Sequence, residues 1–107
     1  MSNTYGISEQ DEQEIRKRDK KCVYCRALMK QPPNARGALG ATIEHFNNDG
    51  DLREKINIGI CCRRCNSSKG TKTLSVWFKA AYCRENKISR RRAARAVERF
   101  MRRRKGH

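Results

Sequence analysis

Apolar mass and negative charge are what this 107-residue chain has least of. Only 36% of its residues are hydrophobic and 7% aromatic. No run approaches the roughly 20 apolar residues of a membrane-spanning helix, which excludes that class. No apolar stretch follows the start as in a signal peptide, so the expected location is intracellular, in the cytoplasm. A chain this short buries a modest fraction of its surface, and this one has little apolar surface to bury. Such domains are stapled by a metal or by disulfides. Acids are scarce as well: 11 Asp and Glu face 26 Lys and Arg, for a net charge of +15. A merely solvated surface accounts poorly for that imbalance. A polyanion, nucleic acid above all, accounts for it better. An anionic membrane surface fits less well, because the basic helix described below has an apolar face suited to a core. Histidine is nearly missing, with His45 the sole internal one and His107 the last residue. No internal repeat divides the sequence, so residues 1–107 are read as one domain.

Against this background the six cysteines stand out. Cys22-Val-Tyr-Cys25 and Cys62-Arg-Arg-Cys65 form two Cys-x-x-Cys pairs. In a reducing compartment that spacing reads as metal binding rather than disulfide. Two such pairs close a tetrahedral thiolate site suited to Zn²⁺, with every position filled by protein, so the ion is structural and activates no water. Cys61 adjoins Cys62 and leaves the register open. The two-residue spacing favours Cys62, with Cys61 and Cys83 as small apolar residues.

Residues 1–7 read as disordered. Ser8, with Asp11 three residues on, caps a helix expected over about 9–20, acids first and bases last, with Ile15 almost its only apolar contact. Residues 30–41 carry both prolines and form an irregular loop. "TIEHF" at 42–46 and "KINIGI" at 55–60 read as a β-hairpin or as two strands closed by a long loop, Ile56, Ile58 and Ile60 on one face and Asn57 and Gly59 on the other. A helix begins near Cys62 and runs to Lys69, with Gly70 as its stop. From Thr73, Leu74, Trp77, Phe78, Ala81 and Tyr82 recur at helical spacing and face the core. From Ser89, Ala93, Val97, Phe100 and Met101 make one stripe, opposite Arg91, Arg92, Arg95, Arg99, Arg102 and Arg103. Between Arg84 and Lys105 there are 11 basic residues and 2 acids, so this face is read as phosphate-binding in preference to merely solvated.

"IEHF", "IN" at Ile56-Asn57 and "CCRRCNSSKG", in this order and with the first cysteine pair ahead of them, resemble the HNH, or ββα-metal, nuclease family over residues 22–70. The resemblance implies an α+β fold with a small ββα-metal core stapled by the four-cysteine zinc; the helix at about 9–20 and the basic helical extension at about 73–105 lie outside the motif and flank that core. It implies a DNA endonuclease that leaves 5′-phosphate and 3′-hydroxyl ends. His45 matches the general base, and its ordinary pKa of about 6.5 suits that role. Glu44 and Asn66 match the ligands of a catalytic Mg²⁺ or Mn²⁺, to which both offer oxygen, with the Asn66 amide oxygen facing the hairpin. Asn57 matches the residue that braces the loop bearing the base. The family's usual Asp is here Glu44 and its final His is here Asn66, which leaves room for Asp49 or Asp51 in the ligand set. "NNDGD" is not an EF-hand loop, because Ile56 stands where the last ligand belongs. Arg63, Arg64 and Lys69 are either surface charge or a clamp on the DNA backbone. A small free-standing enzyme of this type implies a bacterial or phage source; with one His45 and one ligand set per chain, a monomer is expected to nick one strand at a time, though a dimer would cut both. Two rivals share the cysteines and the charge but need neither His45 nor Asn66: a non-catalytic zinc-ribbon nucleic-acid-binding module, and a ribosome-associated zinc protein.

Overall fold

A computed structural model describes residues 5–103. The elements run α1 (Glu9–Arg18), β1 (Ala41–His45), a 3-10 turn (Lys55–Asn57), β2 (Ile58–Cys62), α2 (Arg63–Lys69), α3 (Leu74–Trp77), α4 (Ala81–Glu85) and α5 (Arg95–Arg103). The chain is thus a small α+β protein built on a two-stranded antiparallel sheet. Its register pairs Ala41 with Cys62 and His45 with Ile58.

All five residues of β2 are buried. The sheet therefore lies inside, with α1 and α2 against it. Gly59 is required at its centre: a Cβ there would come within 2.7 Å of the Phe46 ring and 3.2 Å of Val23. An aromatic series threads the core, with Trp77 edge-on to Tyr24, Tyr24 edge-on to Phe46, and Phe46 tilted against Phe100. Trp77 and Tyr24 are fully buried. This compensates for the low apolar content, since each large ring buries on the order of 150–250 Å².

Several expected elements are displaced, for identifiable reasons. Ser8 caps α1 as its side chain suggests, accepting from the Asp11 amide. The helix stops at Arg18, however, because Asp19 turns inward and accepts from the Ile60 amide and the Arg18 guanidinium. Ile15 is 1% exposed and anchors this helix firmly. The second strand starts at Ile58, three residues late, because Lys55–Asn57 is wound into the 3-10 turn that aims the Asn57 side chain at the preceding loop. The apolar series from Thr73 to Tyr82 is two short helices, broken where Ala80 is extended. Thr73 still caps the first, accepting from the Val76 amide. Ser89 caps only a turn, and α5 begins at Arg95. The Ala94 amide is bonded to the Val23 carbonyl of the first knuckle, which holds 89–94 out of the helix. Of the segment 1–7 expected to be disordered, residues 1–4 lie outside the described residues. Ile7 is 1% exposed in the core, and Tyr5 packs on His45. Among the described residues no helix is long and apolar enough to cross a membrane.

Candidate functional site

The first knuckle is a tight turn closed by the bridge between Lys21 and Leu28. The second forms where β2 runs into α2. Together they gather the four sulfurs of Cys22, Cys25, Cys62 and Cys65 within 4.8 Å of one another. The Cys25–Cys62 separation is 3.8 Å, the edge of a tetrahedron with metal–sulfur bonds of about 2.3 Å. The cluster can hold a metal ion, and its chemistry fits zinc. Donors surround it: the Tyr24 and Cys25 amides point at the Cys22 sulfur, the Tyr82 hydroxyl at Cys65 (3.2 Å), and the Arg64 guanidinium at Cys25 (3.7 Å). Such contacts offset the charge of four thiolates. The register question is decided in favour of Cys62. Strand alternation sends Cys61 to the other face, beside the Thr42 hydroxyl, where burial pushes its thiol well up. Cys83 is buried too, its thiol pushed up to about 11, so both stay protonated and pack as apolar groups.

His45 closes β1. Its Nε2 lies 2.9 Å from the Leu52 carbonyl oxygen. A carbonyl only accepts, so Nε2 carries the hydrogen and Nδ1 keeps the lone pair. The loop that presents Leu52 is held by Asn57, whose Oδ1 accepts from the Asn47 amide (2.8 Å). Its Nδ2 donates to the carbonyls of Asn47 (2.9 Å) and Asp51 (3.1 Å). Burial, with a smaller push from the Lys69 charge, lowers the His45 pKa, and the bond to Leu52 opposes them. Tyr5 lies edge-on across the ring, centroids 4.6 Å apart, and His45 is 4% exposed.

Asn66 meets β1, but with its amide nitrogen rather than its oxygen, donating to the Thr42 hydroxyl (3.0 Å) and the Ile43 carbonyl (3.3 Å). The Ile43 acceptor fixes that orientation and leaves Oδ1 as the free acceptor. Glu44 is 2% exposed. Its Oε2 accepts from the Tyr24 hydroxyl at 2.5 Å and pairs with the Lys69 ammonium at 3.2 Å. Burial raises the Glu44 pKa, while Lys69 and Tyr24 oppose that shift. Lys69 is not a surface clamp: it is 0% exposed and also donates to the His45 carbonyl (3.1 Å) and to Asn48 Oδ1 (3.3 Å). Helical spacing held this signal, because Lys69 is four residues from the buried Cys65 and shares its face. Tyr24 gave no such signal, standing between two cysteines.

A catalytic Mg²⁺ or Mn²⁺ does not fit this arrangement. The carboxylate of Glu44 is enclosed and neutralised by Lys69, and Asn66 offers one oxygen. Asp51 accepts from the Arg53 amide, and Asp49 is exposed on the loop. The four cysteines are the one cluster of three or more potential His, Cys, Asp or Glu ligands among the described residues. Of the residues read as DNA-binding, Arg63, Arg64, Arg91, Arg92, Arg95 and Arg99 are exposed. Arg63 donates to the Ala35 carbonyl, holding α2 to the 30–41 loop.

Comparisons with protein-family models, with curated proteins and with solved structures find no match.

Proposed function

We propose that this chain is a DNA endonuclease in which His45 takes the proton of the attacking water. One observation carries the reading. His45 is pinned through Nε2 by the loop that Asn57 braces, so a neutral ring keeps its lone pair on Nδ1. That is the state a general base needs, and the lowered pKa maintains it at neutral pH. In the reaction Nδ1 accepts a proton from water and the resulting hydroxide attacks phosphorus. The bond to the 3′ oxygen breaks, that oxygen takes a proton from solvent, and the products are a 5′-phosphate and a 3′-hydroxyl. Tyr5, itself 41% exposed, must swing outward to admit water and substrate.

The test is supercoiled plasmid incubated with the zinc-loaded protein and a panel of Mg²⁺ and Mn²⁺. With one His45 per chain, a monomer addresses one strand, so open circles should precede linear DNA. His45→Ala should lower the nicking rate by at least about 10²-fold, the usual contribution of a general base, with zinc content unchanged. Retained activity in that variant would remove His45 from the chemistry. A requirement for Mg²⁺ or Mn²⁺ would contradict an arrangement in which Lys69 neutralises Glu44.

The pH profile supplies a second prediction. Only the neutral ring is a base, so the rate should rise with pH and level off once His45 is deprotonated. Because burial lowers the pKa, the midpoint should fall below the ordinary histidine value of about 6.5. A midpoint above that value would contradict the buried, unprotonated ring.

The cover of Tyr5 and the sealed Glu44 favour a second reading, a non-catalytic zinc-ribbon module that binds nucleic acid. It predicts plasmid that is retarded on a gel but never cut.

A further inference from the structure

We infer that Arg26, Arg95 and Arg99 form a seat for a backbone phosphate of duplex DNA, on the surface where α5 meets the first cysteine knuckle. A pocket of about 230 Å³ opens there, lined by these three arginines with Arg18, Asp19 and the small residues Ala94 and Ala96. Sorting the charges around it leaves three without a counterion. Asp19 is 3% exposed, and both its oxygens are taken, by the two prongs of Arg18 at 2.7 Å and by the Ile60 amide. Glu98, the nearby acid on α5, is turned to Arg90 (2.5 and 3.0 Å) and Arg102 (3.4 Å). Among the described residues, Arg26, Arg95 and Arg99 make no ion pair with a carboxylate.

That arrangement concentrates positive charge that an anion would neutralise. Arg95 and Arg99 stand one helical turn apart, where like charges repel. Arg26 follows the last cysteine of the knuckle with φ at 65°, a left-handed conformation that arginine rarely adopts, and its guanidinium reaches back to the Cys22 carbonyl at 3.4 Å. The cysteine turn thus presents this side chain to the pocket. Guanidinium forks match the paired non-bridging oxygens of a phosphodiester.

An extended polyanion fits better than a small free anion, because the basic surface continues both ways. An adjoining groove shares Arg26 and Arg95 and leads to Arg91, and to Arg90, which pairs with Glu98 of the same lining. Another shares Arg18 and Arg99 and leads to Lys55, paired with Glu14, and to Arg103, which pairs with Glu54 of the same lining at 3.5 Å. None of these residues takes part in the contacts that fix His45, so the seat holds DNA whether or not His45 cuts it.

The test uses the 107-residue, zinc-loaded chain in a His45→Ala background, a short DNA duplex and no added Mg²⁺ or Mn²⁺, with affinity measured against salt. Combining Arg26→Asn, Arg95→Gln and Arg99→Gln should weaken binding. It should also flatten the slope of log affinity against log salt by about 0.9 for each phosphate that is no longer neutralised. Asn is chosen at 26 because it tolerates the left-handed conformation. An equal-charge control, Arg36→Gln, Lys30→Gln and Lys79→Gln, should keep the original slope. If Arg26→Asn disturbs zinc content, the Arg95→Gln, Arg99→Gln double variant carries the test alone, since both positions are exposed on α5. An unchanged slope, equal flattening in the control, or flattening seen only with duplex RNA would overturn the proposal.

Discussion

Replacing Cys62 with Ser should leave the chain unfolded and without zinc, while Cys61→Ser should leave it folded and metal-loaded. The asymmetry follows from the two faces of β2: Cys62 joins the four-sulfur cluster and Cys61 packs beside Thr42. Structural zinc sites contribute on the order of 10–16 kcal/mol of apparent binding free energy. Whole domains are stable by about 5–15 kcal/mol. Losing one ligand therefore threatens the entire margin. The topology sharpens the effect. The cluster ties 22–25 to 62–65, closing a loop that contains β1, and no disulfide substitutes for it. Without the tie, the loop-closure entropy returns to the unfolded chain. At Cys61 the cost is that of a buried hydroxyl with Thr42 in reach, about 1–3 kcal/mol. Zinc content and a thermal melt followed by circular dichroism measure both. A zinc-loaded, cooperatively melting Cys62→Ser protein would show that the ligand set is wrong.

What was legible in the sequence was what spacing alone determines. Two Cys-x-x-Cys pairs led to a gathered cluster, Ser8 and Thr73 to real caps, and Gly70 to a helix stop with φ at 55°. Asn57 does brace the loop beneath His45. What spacing could not carry was the direction of polar side chains in the core. Glu44 sits next to His45 in sequence, but strand alternation sends the two side chains to opposite faces. Glu44 falls on the Thr42 side, where Tyr24 and Lys69 enclose it. Asn66 reaches the expected strand with the unexpected end of its amide, because the acceptor waiting there is a backbone carbonyl. The broken helices have the same origin. Ala94 gives its amide to Val23, a contact between residues 71 positions apart that no local pattern announces. The arginine stripe of α5 was visible as a stripe, but its meeting with Arg26 of the knuckle was not.

The burial of Lys69 leads to the second large effect. Substituting Met for Lys69 should destabilise the protein by about 3–5 kcal/mol, the usual consequence of removing one partner of a buried ion pair. The ammonium is 0% exposed and the Glu44 side chain 3%, so no water replaces the missing partner. The His45 carbonyl and Asn48 Oδ1 lose a donor as well. Adding Glu44→Gln should recover part of the deficit, because the remaining buried group is then neutral and still accepts from Tyr24, whose raised pKa keeps its hydroxyl protonated. Direction with pH separates this account from simple loss of packing. Burial already raises the Glu44 pKa, and without Lys69 an opposing attraction disappears, so it rises further. A carboxyl whose folded pKa exceeds its unfolded value of about 4.3 binds its proton more tightly when folded. The folded state therefore gains as pH falls through the raised pKa, and the deficit of Lys69→Met relative to the parent should shrink in mild acid. Protonation of the zinc thiolates affects both proteins and cancels in the comparison. Urea midpoints of parent, single and double variants at neutral and mildly acid pH provide the measurement. A surface clamp on DNA would behave oppositely, with Lys69→Met weakening DNA binding and changing the unfolding free energy by no more than about 0.5 kcal/mol. That outcome would place Lys69 outside the core.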